Sequence, residues 1–234
     1  MIVLENIIKR YADGQRVLTV LDNLSLRVGE GEFIAITGES GSGKTTLLSI
    51  LGTMLAPDAG RLVIAGEEVK VSADGMVTPQ ICRLRNEVIG FVYQDHRLLP
   101  QFTAWQNILL PTLATKSVST NEEQQRAIEL MEFMGIHRLK DSRVTQLSGG
   151  EQSRVSICRA LINQPSILLA DEPTGQLDAA NADCIASLFQ QVNEHLHTTI
   201  VMATHSAAMA RSAHKTYRLD KGTLLTPQTP LNPS

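Results

Sequence analysis

The sequence predicts an α/β protein with a mainly parallel core sheet, an antiparallel β subdomain and an inserted helical subdomain. Three observations carry this reading. Apolar runs recur at residues 33–37, 88–93, 167–170 and 199–203; unbroken rather than alternating hydrophobicity is what a strand covered on both faces requires. Helical patterns lie between several of these runs, the alternation that gives a parallel sheet. Two further stretches, 2–10 with 24–28 and 61–71, alternate apolar and polar residues and carry the turn signal Asp58-Ala59-Gly60, as expected for an antiparallel layer.

The 234 residues include 43% hydrophobic and 19% charged side chains, enough apolar material for a substantial core. A net charge of -3 gives no footing for nucleic acid, whose phosphates call for a basic face. Residues 1–9 lack the basic flank, long apolar stretch and cleavage site of a secretory leader, so secretion is not expected. No run approaches the roughly 18 apolar residues of a membrane-spanning helix. Membrane association is therefore expected to go through a partner. Cys82, Cys158 and Cys184 are odd in number and widely spaced, which fits reduced thiols in core or helix positions better than a disulfide framework or metal site.

Between Gln94 and Asn163 the chain reads as helices joined by loops. One helix is expected over 121–134, capped by Ser119 and Thr120, with Glu122 and Glu123 three residues on and Gly135 closing it. The organisation expected is one domain over 1–225, a helical insertion over about 95–162, and a flexible tail over 226–234 that contains prolines and few large apolar groups.

The segment Gly38-Glu39-Ser40-Gly41-Ser42-Gly43-Lys44-Thr45 satisfies G-x-x-x-x-G-K-[ST] between the strand 33–37 and a helical stretch 46–55 that opens on Thr46. Glycines let the backbone curl so that successive N–H groups point inward, and the following helix adds its positive end. Lys44 is placed to neutralise the β- and γ-phosphates of ATP, and the Thr45 hydroxyl to ligate Mg²⁺. The run 167–170 ends in Asp171-Glu172, two carboxylates at the carboxyl end of a buried strand, where open α/β sheets bind ligands. Asp171 is expected to hold Mg²⁺ and Glu172 to act as general base on a water in line with the γ-phosphate. His205 and Gln94 follow the strands 199–203 and 88–93 at the same sheet edge, where a γ-phosphate sensor belongs; Gln94 is also a candidate metal ligand. A second anion-binding helix start is Leu147-Ser148-Gly149-Gly150-Glu151, with Ser148 as N-cap of a helix running through Leu161.

Taken together, 38–45, Gln94, 147–151, Asp171-Glu172 and His205 occur in the order and approximate spacing of ABC transporter nucleotide-binding domains, which the chain resembles to about residue 225. The resemblance implies a P-loop NTPase ABC cassette that hydrolyses ATP as a head-to-tail homodimer. The signature Ser148, Gly149, Gly150 and Glu151 of one copy would close over the nucleotide of the other. It further implies that Tyr11 stacks on adenine and that Asp178 belongs to the loop communicating between the two sites. Asp171-Glu172-Pro173-Thr174-Gly175 with Leu177-Asp178, together with Phe91-Val92-Tyr93-Gln94 and Leu98-Leu99-Pro100, is similar to the LolD and MacB branch, which serves lipoprotein release and macrolide or peptide export. The implied partners are integral membrane permease subunits of the four-helix FtsX and MacB type, met through segment 95–111 with Trp105, at the cytoplasmic face of the bacterial inner membrane. Three positions depart from that branch: Gln176 for asparagine, Ser206 for aspartate and Ser153 for glutamine. An ABC ATPase driving mechanotransmission or cell-division signalling is the alternative reading. Ribosomal or DNA-repair relatives need a second cassette or a long coiled coil, and neither pattern occurs in this sequence.

Overall fold

The computed structural model describes residues 2–14, 16–72, 76–114, 116–175 and 177–225. Gln176 and the tail 226–234 lie outside the described residues. The chain opens with a long antiparallel hairpin, β1 (Ile2–Asp13) and β2 (Arg16–Val28). β1 also pairs antiparallel with β4 (Ala59–Ile64), which pairs with the short β5 (Glu67–Glu68), giving a four-stranded sheet in the order β2-β1-β4-β5. The antiparallel layer expected from alternation is therefore present. The expected turn at Asp58-Ala59-Gly60 is corrected: Ala59 and Gly60 already belong to β4. Gly60 lies at φ +101° against the Asn6 backbone, so here glycine marks a close backbone approach beside a bulge rather than a reversal.

The second sheet has six strands in the order β10-β9-β3-β8-β7-β6. β3 (Phe33–Thr37), β6 (Ile89–Val92), β7 (Ile167–Asp171) and β8 (Thr199–Ala203) are the four apolar runs. All four are parallel, so their carboxyl ends share one edge. β9 (Lys215–Asp220) adds a parallel strand beside β3, and β10 (Thr223–Leu224) turns back antiparallel. These two form one margin of the sheet, with β10 at the edge, and lack the apolar run that marked the others. The run at 88–93 is also trimmed, because residues Leu84–Val88 form a π-helical turn.

Side chains along the parallel strands alternate between two cores, which is why the runs are unbroken. Phe33, Ala35, Leu168, Ala170, Ile200 and Met202 face a core built with the helical insertion. Ile34, Ile36, Ile167, Leu169, Val201 and Ala203 face a core built with α1 (Lys44–Leu51) and the antiparallel sheet. Each large aliphatic side chain buried this way contributes about 1.5–3 kcal/mol.

The insertion follows α2 (Pro79–Arg83) and consists of α3 (Ala104–Leu109), α4 (Asn121–Phe133) and α5 (Gly149–Leu161) with short 3₁₀ turns. Thr120 and Glu123 form a capping box on α4, as the sequence pattern requires. The chain then runs through α6 (Ala179–Leu196) and α7 (Ala207–Arg211). α1 starts at Lys44 and ends at Leu51, short of the expected residue 55. Cys158 is buried in α5, whereas Cys82 and Cys184 are exposed; the helical expectation holds for all three and the core expectation for one. Among the described residues no helix is long and apolar enough to cross a membrane.

Candidate nucleotide-binding site

The site forms where the parallel strands end. After β3 the loop 38–43 reverses onto α1, with Gly41 at φ +78° and the N-cap Gly43 at φ +106°. A side chain at Gly38 would collide with the Leu219 carbonyl and the Ser42 hydroxyl. No side chain caps α1, so its first N–H groups face the loop, and the helix end carries partial positive charge. Lys44 is buried, and its Nζ donates to the carbonyls of Gly38 (2.9 Å) and Glu39 (3.0 Å) and lies 3.9 Å from Glu172 Oε1.

β7 delivers the carboxylates. Asp171 pairs with Ala203 across the sheet and is buried. Burial pushes its carboxyl above the usual carboxylate range and the adjacent Glu172 adds to the rise, while the Thr45 hydroxyl, Lys44 and Arg97 pull the other way. Asp171 Oδ1 has no hydrogen-bond partner among the described residues. With Thr45 beside it, this orphaned oxygen fits a hard cation that takes oxygen ligands, so Asp171 and Thr45 suit Mg²⁺, and Gln94 at the cleft offers a further oxygen.

Glu172 sits at φ 45°, a left-handed conformation that a non-glycine residue keeps only when its surroundings enforce it. They do so from β8. The Glu172 N–H donates to the Ala203 carbonyl (2.9 Å), and Glu172 Oε2 accepts from the His205 backbone N–H (3.1 Å) and from His205 Nδ1 (2.9 Å). His205, expected as a γ-phosphate sensor, thus holds the Glu172 carboxylate from both its backbone N–H and its ring.

Ser40, Gly41, Gly43, Lys44, Thr45, Thr46, Gln94, Glu172 and His205 line one cleft of about 610 Å³, within the usual range for small-molecule sites. Val20 of β2 lines it as well and was not singled out from sequence; as an ordinary strand valine it carries no signal of its own. Tyr11 does not line this cleft. It stands on β1 opposite Leu18, 41% exposed, with the Lys9 ammonium 5.7 Å from its ring.

The signature lies apart. Ser148 caps α5 by accepting from Glu151 N–H (3.4 Å), while Glu151 Oε2 accepts from the Ser148 N–H (3.0 Å) and hydroxyl (2.9 Å). These two hydrogen bonds from Ser148 lower the Glu151 pKa, with Arg138 helping. Side chains at Gly149 and Gly150 would meet Leu177 and the Asn181 amide. Asp178 caps α6 by accepting from the Asn181 N–H (2.9 Å) and side-chain amide (2.8 Å). Ser148 and Asp178 therefore share a surface, and none of 148–151 lines the cleft.

The ABC transporter family model matches residues 21–175. The chain is 40% identical over 222 residues to the lipoprotein-releasing system ATP-binding protein LolD of Saccharophagus degradans, covering 94% of each chain. It is 41% identical over 224 residues to the LolD protein of Bacteroides thetaiotaomicron, covering 96% of this chain and 99% of that one. Among solved structures, the ATP-binding cassette MJ0796, a dimer in a post-hydrolysis state with ADP and Pi, superposes with a TM-score of 0.87 at 34% identity, covering 99% of this chain and 100% of that one. A second dimeric structure of that bacterial ABC transporter cassette gives 0.88 at 35% identity, with the same coverage. Sequence and fold thus agree with these relatives over nearly their whole length, and the chain belongs to the ABC transporter family as one of its ATPase cassettes.

Proposed function

We propose that this ATPase works as a head-to-tail homodimer with Mg²⁺ and drives integral membrane permease subunits, of the four-helix FtsX and MacB type, in lipoprotein release across the cell envelope, from the cytoplasmic face of the inner membrane. The observation that carries the dimer is the separation of the two anion-binding helix starts. Lys44 and the loop 38–43 open on the cleft, whereas the Ser148 cap faces outward with Asp178. One copy holds two half-sites, and pairing completes each of them.

Within a site the roles follow from contacts. The N–H groups of the loop and Lys44 hold the phosphates; Tyr11, outside the cleft on β1, is assigned to the adenine by the family resemblance and not by a contact. Asp171, Thr45 and Gln94 hold Mg²⁺, which when bound neutralises phosphate charge. Glu172 accepts the proton of the attacking water, and His205 keeps its carboxylate aimed. Lipoprotein release is supported by the names of relatives 40–41% identical over 94% or more of this chain.

Purification of the tagged chain from its native membrane tests the assignment. A copurifying multi-spanning permease, together with lipoproteins retained at the inner membrane on depletion of the chain, is expected. A chain recovered without any membrane partner contradicts it.

A further inference from the structure

One residue beyond Gln94, after Asp95, the backbone places two successive non-glycine residues in the left-handed region, His96 at φ 57° and Arg97 at φ 45°. The β-carbon crowds the following carbonyl there, so such a pair persists only where neighbours hold it. The neighbours are on α5. Arg159 donates from Nη2 to the His96 carbonyl (2.5 Å) and from Nη1 to the Arg97 carbonyl (2.6 Å), one planar fork spanning both peptides. Inside the turn, the His96 N–H reaches the Tyr93 carbonyl (3.0 Å) and the Arg97 N–H the Asp95 carbonyl (2.6 Å).

The His96 side chain points inward and is 4% exposed. Its Nε2 lies 3.4 Å from the Ser153 hydroxyl on α5, which lies 3.4 Å from the carbonyl of Pro173, the residue after Glu172. His96 Nδ1 has no hydrogen-bond partner among the described residues. Burying a polar ring atom unpaired costs stability that an aliphatic side chain of similar size would not. Packing therefore does not explain a histidine here, whereas its reach from the Gln94 turn toward Ser153 and Pro173 does.

We propose that Arg159 and His96 are positioning residues for ATP hydrolysis. Arg159 fixes the strained turn by its two carbonyls, and His96 anchors that turn through Ser153 to the fixed segment after Glu172, so that the effect of both residues is exerted through the placement of Gln94 at the nucleotide. The same helix is capped by Ser148. The element that receives the second copy's nucleotide is thereby the element that sets Gln94. The proposal rests on the reading that Gln94 acts at the metal and nucleotide.

Steady-state ATPase kinetics on the full chain test it, with Gln94→Ala, His96→Ala, Arg159→Met and the His96→Ala, Gln94→Ala double variant. His96→Ala and Arg159→Met are expected to lower kcat by about 10- to 100-fold, the scale of a small misplacement. ATP affinity, read with a fluorescent analogue, is expected to change by less than about 3-fold, since binding common to ground and transition state is kept. In the Gln94→Ala background the His96→Ala change is expected to cost no more than about 2-fold further, because two residues acting through one group do not add. A purely structural role would instead multiply the losses and lower affinity with them. If Arg159→Met fails to fold, Ser153→Ala, which removes one hydroxyl, takes its place and must also lower kcat non-additively with His96→Ala. Wild-type kcat in His96→Ala, or multiplicative losses in the double variant, overturns the clamp. Wild-type kcat in Gln94→Ala overturns the underlying assignment as well, and is seen independently of the His96 result.

Discussion

Replacing Ser148 by alanine separates the two things a helix start can do. In the free chain its hydroxyl accepts from the Glu151 N–H and donates to Glu151 Oε2, while the Ser148 N–H keeps its own bond to that carboxylate. Ser148→Ala thus removes the cap hydroxyl but leaves half of the capping box, a loss of about 1 kcal/mol by the usual cost of an N-cap. For a chain of this length that lowers Tm by about 2–4 °C. The Arg138 contact to Glu151 (2.6 Å, with the arginine side chain 72% exposed) adds little, because solvent screens it. Thr120 supplies the matched control, since it caps α4 with Glu123 through the same pair of bonds. Urea unfolding without nucleotide and steady-state ATPase rates on both variants decide the matter. Both are expected to lose similar stability, and only Ser148→Ala to lose turnover, by about 100-fold if the hydroxyl supports transition-state charge. Equal turnover in the two variants refutes the idea that the α5 start grips a second copy's phosphate.

Asp171→Asn tests the buried carboxylate. Because the folded state holds its pKa above the ordinary value, the wild type is most stable relative to this variant in acid, where Asp171 is protonated folded and unfolded. That advantage is lost as pH rises from the ordinary carboxylate value through the raised folded one, and stays lost above it. Urea midpoints in chelator between about pH 4 and pH 8 are expected to show the asparagine variant gaining on the wild type across that window; a gap that is flat or closes with rising pH contradicts the assignment. Mg-dependent turnover is expected to vanish in the same variant. Tyr11→Ala is expected to weaken ATP binding by about 3- to 10-fold, the scale of one aromatic stack, with Tyr11→Phe near wild type by equilibrium fluorescence; unchanged affinity in the alanine variant removes Tyr11 from the site.

What was legible in the sequence was what burial and local chemistry print there. β3 and β8 could be bounded to the residue because both faces are covered and each is four apolar residues in a row with one threonine at one end. α4 and α5 could be started from Thr120 and Ser148 because a capping box is a four-residue signal. β9 escaped notice because only Leu219 of its six residues is fully buried, so no apolar run or periodicity separates it from a loop. Within the site, the loop, Gln94, Glu172 and His205 converge as expected, since each ends a parallel strand at one edge. Val20 enters from the other sheet, and only the packing of the two sheets brings it there. The strain at His96-Arg97, and the Arg159 fork that holds it from 62 residues away, left no mark, because the fork's partners are backbone carbonyls that any residue supplies.

The central claim is that one chain carries two half-sites and that ATP joins them. Glu172→Gln keeps the shape of the side chain and removes its basicity, so ATP should bind and persist. Size-exclusion chromatography with light scattering, in Mg²⁺ and saturating ATP, is expected to give twice the 25.6 kDa mass of the chain, collapsing to monomer when ADP replaces ATP. A variant that binds ATP and stays monomeric at micromolar concentration contradicts the account.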